Sequence, residues 1–398
     1  MKYLLCENPA VEGKNVVLSD MILTKDFPTT AGSRMLEGYM SLFDAEVVDR
    51  LKAAGYAIRG KANVGELTLG VLGENSYFGA CAENGVLVDA SVIALRETDA
   101  AAVIGLDAGG TPRRGAALGG MVAVKPTYGT VSRFGTISMA CSGEAVSVTG
   151  RSVSEVRDML NVLVGHDDKD GTSLPEEKCA LVKAGDASVR RVAIARELTA
   201  SVNAEMQAKV AAARVALEKS GIEVVEIDDS LLLAAKTAWN ILMSAELCNN
   251  VSRYDGVKYG YRTKNYKTID ELYTGSRTEA FGELLKYAIL FGSETLSTEN
   301  YMKMYDKSLR VRRLLVERLA EIFSEFDALL LPVASKCAFM EEEARENIHL
   351  SYDEARYTAP ASITGVPAIA LRGVQLMGAA FSENKLYSLA EILEGGAE

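Results

Sequence analysis

The 398-residue sequence predicts an α/β fold: one large mixed β-sheet flanked by helices. Three observations carry that expectation. Strand-like and helix-like segments alternate along the whole chain. Residues 190–227 read as a β-α-β unit, and such a unit implies a parallel crossover. No repeat or low-complexity linker divides the chain, so residues 1–398 are expected to form a single domain.

The elements follow in order. DAEVVDRLKAAG (44–55) has helical apolar spacing, starts at an aspartate and stops at a glycine. YAIRG follows as a strand and leads into Lys61. Residues 121–150, rich in Gly, Val, Ser and Thr, read as short strands and turns. Ser152-Val-Ser-Glu155 has the capping-box pattern and opens a helix ending near Gly165. RRVAIARE (190–197) is a strand, 202–220 a helix closed by Gly221, and IEVVEI (222–227) the second strand of the unit. Residues 231–325 are mostly helical and are expected to cover one end of the sheet. RYDGVKYGYR (253–262) interrupts them, and a long helix near 297–325 leads into the buried-strand pattern DALLLPVA (327–334). TAPASITGVPAIAL (358–371) adds a final helix-strand pair.

Composition narrows the function classes. With 48% hydrophobic and 24% charged residues the chain is that of a globular protein. A net charge of −11 argues against direct nucleic-acid binding. No apolar run approaches roughly 18 residues, so no membrane span is expected. The opening MKYLLCENPA is too weakly apolar for a signal peptide. Six scattered cysteines without a CxxC pair imply reduced thiols and a cytoplasmic location. The only two histidines are His166 and His349, so a His-rich metal site is not expected, and no cofactor is called for.

The chemistry-bearing stretch is GLDAGGTPRRGAA (105–117). Paired glycines let backbone N–H groups turn toward a developing negative charge, and Thr111 supplies a hydroxyl beside them. Asp107, Ala108, Gly109 and Gly110 are therefore candidate oxyanion-loop residues, or equally a glycine turn packed beside the sheet. Thr111 is β-branched and precedes Pro112, which restricts both its side chain and its backbone.

Several stretches carry a resemblance: GKANVGELTLG (60–70), ENSYFG (74–79), VKPTYGTVSRFG (124–135), GHDDKDGTS (165–173), RYDGVKYGYR and YTAPASITGVPAIAL (357–371). Through them the chain resembles the amidase signature family, and within it the glutaminase subunits of tRNA-dependent amidotransferases. The resemblance implies a large mixed sheet flanked by helices and a Ser–Ser–Lys mechanism. In that mechanism a lysine base acts through a relay serine on a serine nucleophile. A hydroxyl needs such help, because it is a poor nucleophile at neutral pH without a base within hydrogen-bond reach. The resemblance places the lysine at Lys61 and the nucleophile at Thr111, with the family arginine at Arg113. Counting back by the family's spacing puts the relay at Leu87, because GVLVDAS (85–91) stands where the family has GGSSGGS. Ser91 is the one hydroxyl nearby.

Other positions also depart. A KDN motif reads Ser19-Asp20-Met21, a GP reads Ser147-Val148, and the aspartate that holds glutamine's amino group falls on Ala355. Asp353 or Glu354 are the candidates to replace it. Arg312 is the candidate clamp for a substrate carboxylate, with a solvated basic face beside Arg310 and Arg313 as its rival. Tyr254 and Tyr259 suit either a pocket wall or plain packing. Arg113-Arg114 has the look of a surface pair, and Glu66 and Asp107 are the candidate carboxylate partners of Lys61. Three readings remain open. One is a family member with a degenerate, catalytically impaired triad that keeps a ligand pocket or scaffold role, beside other amidotransferase subunits. The second is an active hydrolase of amides or glutamine using Thr111 and Lys61. The third, a tRNA-binding module, is disfavoured by the acidic balance.

Overall fold

Residues 2–396 are described by the computed structural model, and eleven of their strands join in one sheet. In chain order, β1 (Leu4–Glu7), β2 (Asn15–Ser19), α1 (Glu46–Ala53) and β3 (Ala57–Ala62) come first. A small hairpin of β4 (Ala82–Glu83) and β5 (Val86–Leu87) then precedes α2 (Ala90–Glu97), β6 (Val103–Asp107), α3 (Thr111–Leu118), β7 (Val122–Lys125) and β8 (Ala145–Gly150). Next come α4 (Val153–Leu163), α5 (Glu176–Ala184), β9 (Arg191–Ala195), α6 (Arg196–Ala200), α7 (Ala204–Lys219) and β10 (Glu223–Ile227). The helical stretch holds α8 (Ala234–Asn250), α9 (Ile269–Ala280), α10 (Glu283–Thr295) and α11 (Lys307–Glu325). The chain closes with β11 (Ala328–Pro332), α12 (Glu341–Glu346), α13 (Leu350–Thr364), β12 (Ala368–Leu371), β13 (Val374–Met377) and α14 (Glu383–Gly395).

The sheet order is β1-β3-β2-β6-β8-β7-β12-β13-β11-β9-β10. It is mixed as expected. β2 runs parallel to β3 and β6, and β9 parallel to β10 and β11, while the centre from β6 to β13 is antiparallel. The β9–α7–β10 unit is the parallel crossover read from 190–227. The strands are apolar where the sheet is covered on both faces, which is what lets β2, β8, β11 and β12 be buried along their full length.

Local chemistry sets the helix ends. Ser152 Oγ accepts from Glu155 N at 3.2 Å, but the Glu155 carboxylate turns to Arg151 N (2.7 Å), so only half of the expected capping box forms. The helix expected from 297 begins instead as a π-turn over Met302–Asp306, with Asp306 N donating to Tyr301 O, and becomes regular only at Lys307. Helix α13, expected from TAPASIT, starts earlier, at Leu350. Helices α8 and α10 cross so closely that a Cβ on Gly292 would lie 2.0 Å from Ser244 O. The run Ser230–Arg253 is apolar and long enough to cross a membrane by length and composition, and 56% of its most apolar 18-residue stretch is buried within the fold. Trp239, Leu242 and Leu247 on α8 join the same apolar cluster as the sheet strands.

Candidate active site

Strand β6 ends at Asp107, and α3 starts at Thr111. The glycines between them make a tight turn in which Gly110 takes φ +87°, the left-handed region open to glycine. The turn is held from three sides. Gly110 N donates to Asp107 Oδ1 (3.0 Å), Trp239 Nε1 donates to Ala108 O (3.0 Å), and Thr358 Oγ1 donates to Gly109 O (2.6 Å). A Cβ on Gly109 would meet the Trp239 ring at 3.0 Å, and one on Gly110 would meet Thr358 Cβ at 2.2 Å. The single tryptophan and α13 thus lie directly against the glycines.

Arg113 and Arg114 are both buried, which overturns their reading as a surface pair. Arg113 Nε and Nη2 form a fork on the Asp107 carboxylate at 2.8 and 3.0 Å. Its remaining donors go to Gln375 Oε1 (2.7 Å), Ser362 Oγ (3.0 Å) and Thr358 O. Arg114 donates to Val71 O, Glu354 O and the Thr358 hydroxyl, and burial lowers its affinity for a proton. Charges that adjoin in sequence look solvated; here most of their partners come from residues more than two hundred positions away. Arg113 has its donors engaged inside the protein, an arrangement that braces the loop.

Lys61 is fully buried on β3. Its Nζ donates to Ile22 O and to Thr29 Oγ1 (2.8 Å). Its carboxylate partner is neither Glu66 nor Asp107. Glu66 bonds Ser33 Oγ (2.5 Å) and Gly282 N (2.9 Å), while Asp107 serves Arg113. Asp20 supplies the opposing charge, from the turn after β2, whose parallel register sets Leu18 beside Lys61. Asp20 itself accepts from Thr30 N (3.0 Å), the Thr30 hydroxyl and Gly32 N.

Burial pushes the Lys61 ammonium down to about 8, against the attraction of Asp20. In the unfolded chain the same group titrates near about 10.4. Unfolding therefore takes up a proton between these values, and the contribution of Lys61 to stability rises with pH across that window. Urea midpoints at both ends of the window are expected to show a rise that Lys61→Met diminishes. An unchanged rise would place the shift elsewhere.

Thr111 is half-buried, and its hydroxyl points to Gly70 O at 3.4 Å. A cavity of about 30 Å³ lies beside it, bordered by Ser19, Asn63, Asp89, Ser91 and Pro112. That is room for about two water molecules. Neither Lys61 nor Leu87 lines it. Leu87 sits in the hairpin, donates its N–H to Phe339 O (2.8 Å) and packs into the core. Asp89, where the family motif has glycine, caps α2 by accepting from Ser91 N (2.8 Å), and burial raises its carboxyl to about 6.

The remaining candidates do not line the cavity beside Thr111. Arg312 donates to Ser142 O (2.9 Å) and Ser142 Oγ (3.1 Å), while its neighbours Arg310 and Arg313 pair with Asp306 and Glu317. Tyr254 and Tyr259 meet edge to face at 6.1 Å, and Tyr259 lies 6.0 Å from Tyr39. Ala355 is buried; Glu354 accepts from Ser335 N (2.9 Å) and Asp353 pairs with Lys236 (2.7 Å). Sequence reasoning does not single out Trp239, Thr358, Asp20 or Asp89 as site residues. The one signal it offers is that Trp239 is the chain's only tryptophan. Among the described residues, no three His, Cys, Asp or Glu side chains are grouped to hold a metal ion.

The Amidase family model matches residues 7–84 and 89–387. Its break, 85–88, is the hairpin segment that contains Leu87. The glutamyl-tRNA(Gln) amidotransferase A subunit of Clostridium botulinum is 34% identical over 406 aligned residues, covering 96% of this chain and 83% of that protein. The same-named protein of Halothermothrix orenii is 33% identical, with 96% and 84% covered. The crystal structure of the Thermotoga maritima counterpart superposes with a TM-score of 0.82 at 27% identity, covering 99% of this chain and 87% of that one. A 6-aminohexanoate cyclic dimer hydrolase shares the fold, with a TM-score of 0.77 at 20% identity; 96% of this chain and 84% of that one are covered. In sequence and in fold, the chain belongs to the amidase signature family and is similar to the A subunits of glutamyl-tRNA(Gln) amidotransferases.

Proposed function

We propose that this chain is a non-catalytic member of the family, which retains the fold and a binding or scaffold role in place of amide cleavage. The observation that carries this reading is that the hydroxyl and the lysine do not meet: Thr111 points to Gly70 O, and Lys61 does not line the cavity beside it. The Ala108 and Gly109 carbonyls are bonded to Trp239 and Thr358, and both of those side chains press on the glycine faces. Lys61 is bonded to Thr29 and Ile22, with aliphatic Leu87 where the resemblance puts the relay. Its partners would be other amidotransferase subunits, as the word "subunit" in its relatives' names suggests, or a small amide or amino-acid ligand.

One observation favours the second reading, an active hydrolase. A lysine titrating near 8 is suited to act as a base near neutral pH. The two readings separate in one assay. Purified protein is expected to release no more ammonia from glutamine, asparagine or simple amides than its Thr111→Ala and Lys61→Ala variants do. In intact hydrolases of this mechanistic type, loss of one member of the unit costs roughly four to six powers of ten. Turnover by the parent protein that both variants abolish would establish the hydrolase.

A further inference from the structure

Helices α8, α10 and α13 and the π-turn before α11 border another, open recess, of about 550 Å³. This lies within the size range of small-ligand sites. Its position follows from helical spacing. Tyr287 and Phe291 stand one turn apart on α10 and show parallel rings, 8° between planes at 6.3 Å. Tyr352 of α13 meets Tyr287 at 5.8 Å and 61°, and His349 meets it edge-on at 5.4 Å. Met304 lines the cavity from the π-turn, an irregularity that often marks functional positions in helices.

The polar groups are few and sit together. Lys236 and Asp353 form an ion pair of 2.7 Å, with 23% and 55% of their side chains exposed. Both line the cavity, so a charge of each sign is available at one place. One turn along α8 from Lys236, the Asn240 side-chain carbonyl is buried with no hydrogen-bond partner.

We propose that this cavity binds a free aromatic α-amino acid. The ligand ring lies against Tyr287, Phe291 and Tyr352, its carboxylate meets Lys236, and its ammonium meets Asp353. An aromatic ring matches the walls in shape and gains from offset or edge-to-face contacts. The zwitterion opens the Lys236–Asp353 pair and replaces each partner by an equivalent charge, so neither is left alone. This names a ligand class for the proposed binding role and rests on that reading. It uses none of the glycine-turn residues, so an amide assay and a binding titration fail independently.

Calorimetric titration of the intact protein with L-tryptophan and L-phenylalanine tests it. At least one is expected to bind with Kd below about 1 mM, and glutamine, phenethylamine and 3-phenylpropionate at least about tenfold more weakly. Tyr287→Ala and Lys236→Met are each expected to weaken binding about tenfold or more, with the circular dichroism spectrum unchanged. If Tyr287→Ala fails to fold, Lys236→Met and Phe291→Leu carry the same expectation. The proposal is overturned by any of three results: no saturable binding of either amino acid, binding indifferent to the folded variants, or phenethylamine binding as tightly as phenylalanine.

Discussion

Arg113→Met is expected to destabilise the protein by about 3–5 kcal/mol, the usual result of removing one partner from a buried ion pair. The substitution leaves the Asp107 carboxylate without its fork and withdraws donors from Gln375, Ser362 and the Thr358 carbonyl. Each of those groups is itself buried away from bulk water. Lysine at the same position is not expected to rescue it, because an ammonium cannot reproduce the planar two-bond contact with Asp107. Urea denaturation of the parent, Arg113→Met, Arg113→Lys and the double variant with Asp107→Asn checks this. The double variant should lose less than the sum of its two single losses, because the stranded charge is gone. A loss below about 1 kcal/mol for Arg113→Met would contradict the buried network.

The second large effect is expected at Trp239. Trp239→Ala should cost about 3–5 kcal/mol, because it removes a buried indole and leaves a void against Gly109. Trp239→Phe keeps most of the packing and loses the bond to Ala108 O, so about 1 kcal/mol is expected. The pair separates volume from hydrogen bonding, again through urea midpoints. On the non-catalytic reading neither variant gains amide turnover, because opening the turn does nothing to bring Lys61 into contact with Thr111. Turnover appearing in Trp239→Ala would show instead that the tryptophan alone had closed a competent site.

Much of the fold could be read from sequence because it is written locally. The crossover at 190–227 depends on two apolar strands and an intervening helix, and α4 on a serine that caps its own first turn. The site is written at long range. Nothing near Lys61 in sequence announces Asp20, since their proximity comes from strand register. Two adjacent arginines look solvated until α13 and β13 supply their acceptors. The π-turn at Met302–Asp306 and the closing strand and helix, β13 and α14, carry no pattern strong enough to place them. The resemblance assigns roles to Lys61 and Thr111, but it does not say what their side chains touch.

Trp239 is the chain's only indole, it is buried, and its N–H is bonded to the loop before Thr111. It also adjoins Asn240 in the sequence, on the helix that borders the aromatic cavity. The protein's tryptophan fluorescence therefore originates at a single point, between the glycine turn and that cavity. A change in the polarity around the turn shifts this emission without any added label. The molecule carries its own optical probe beside the glycine turn.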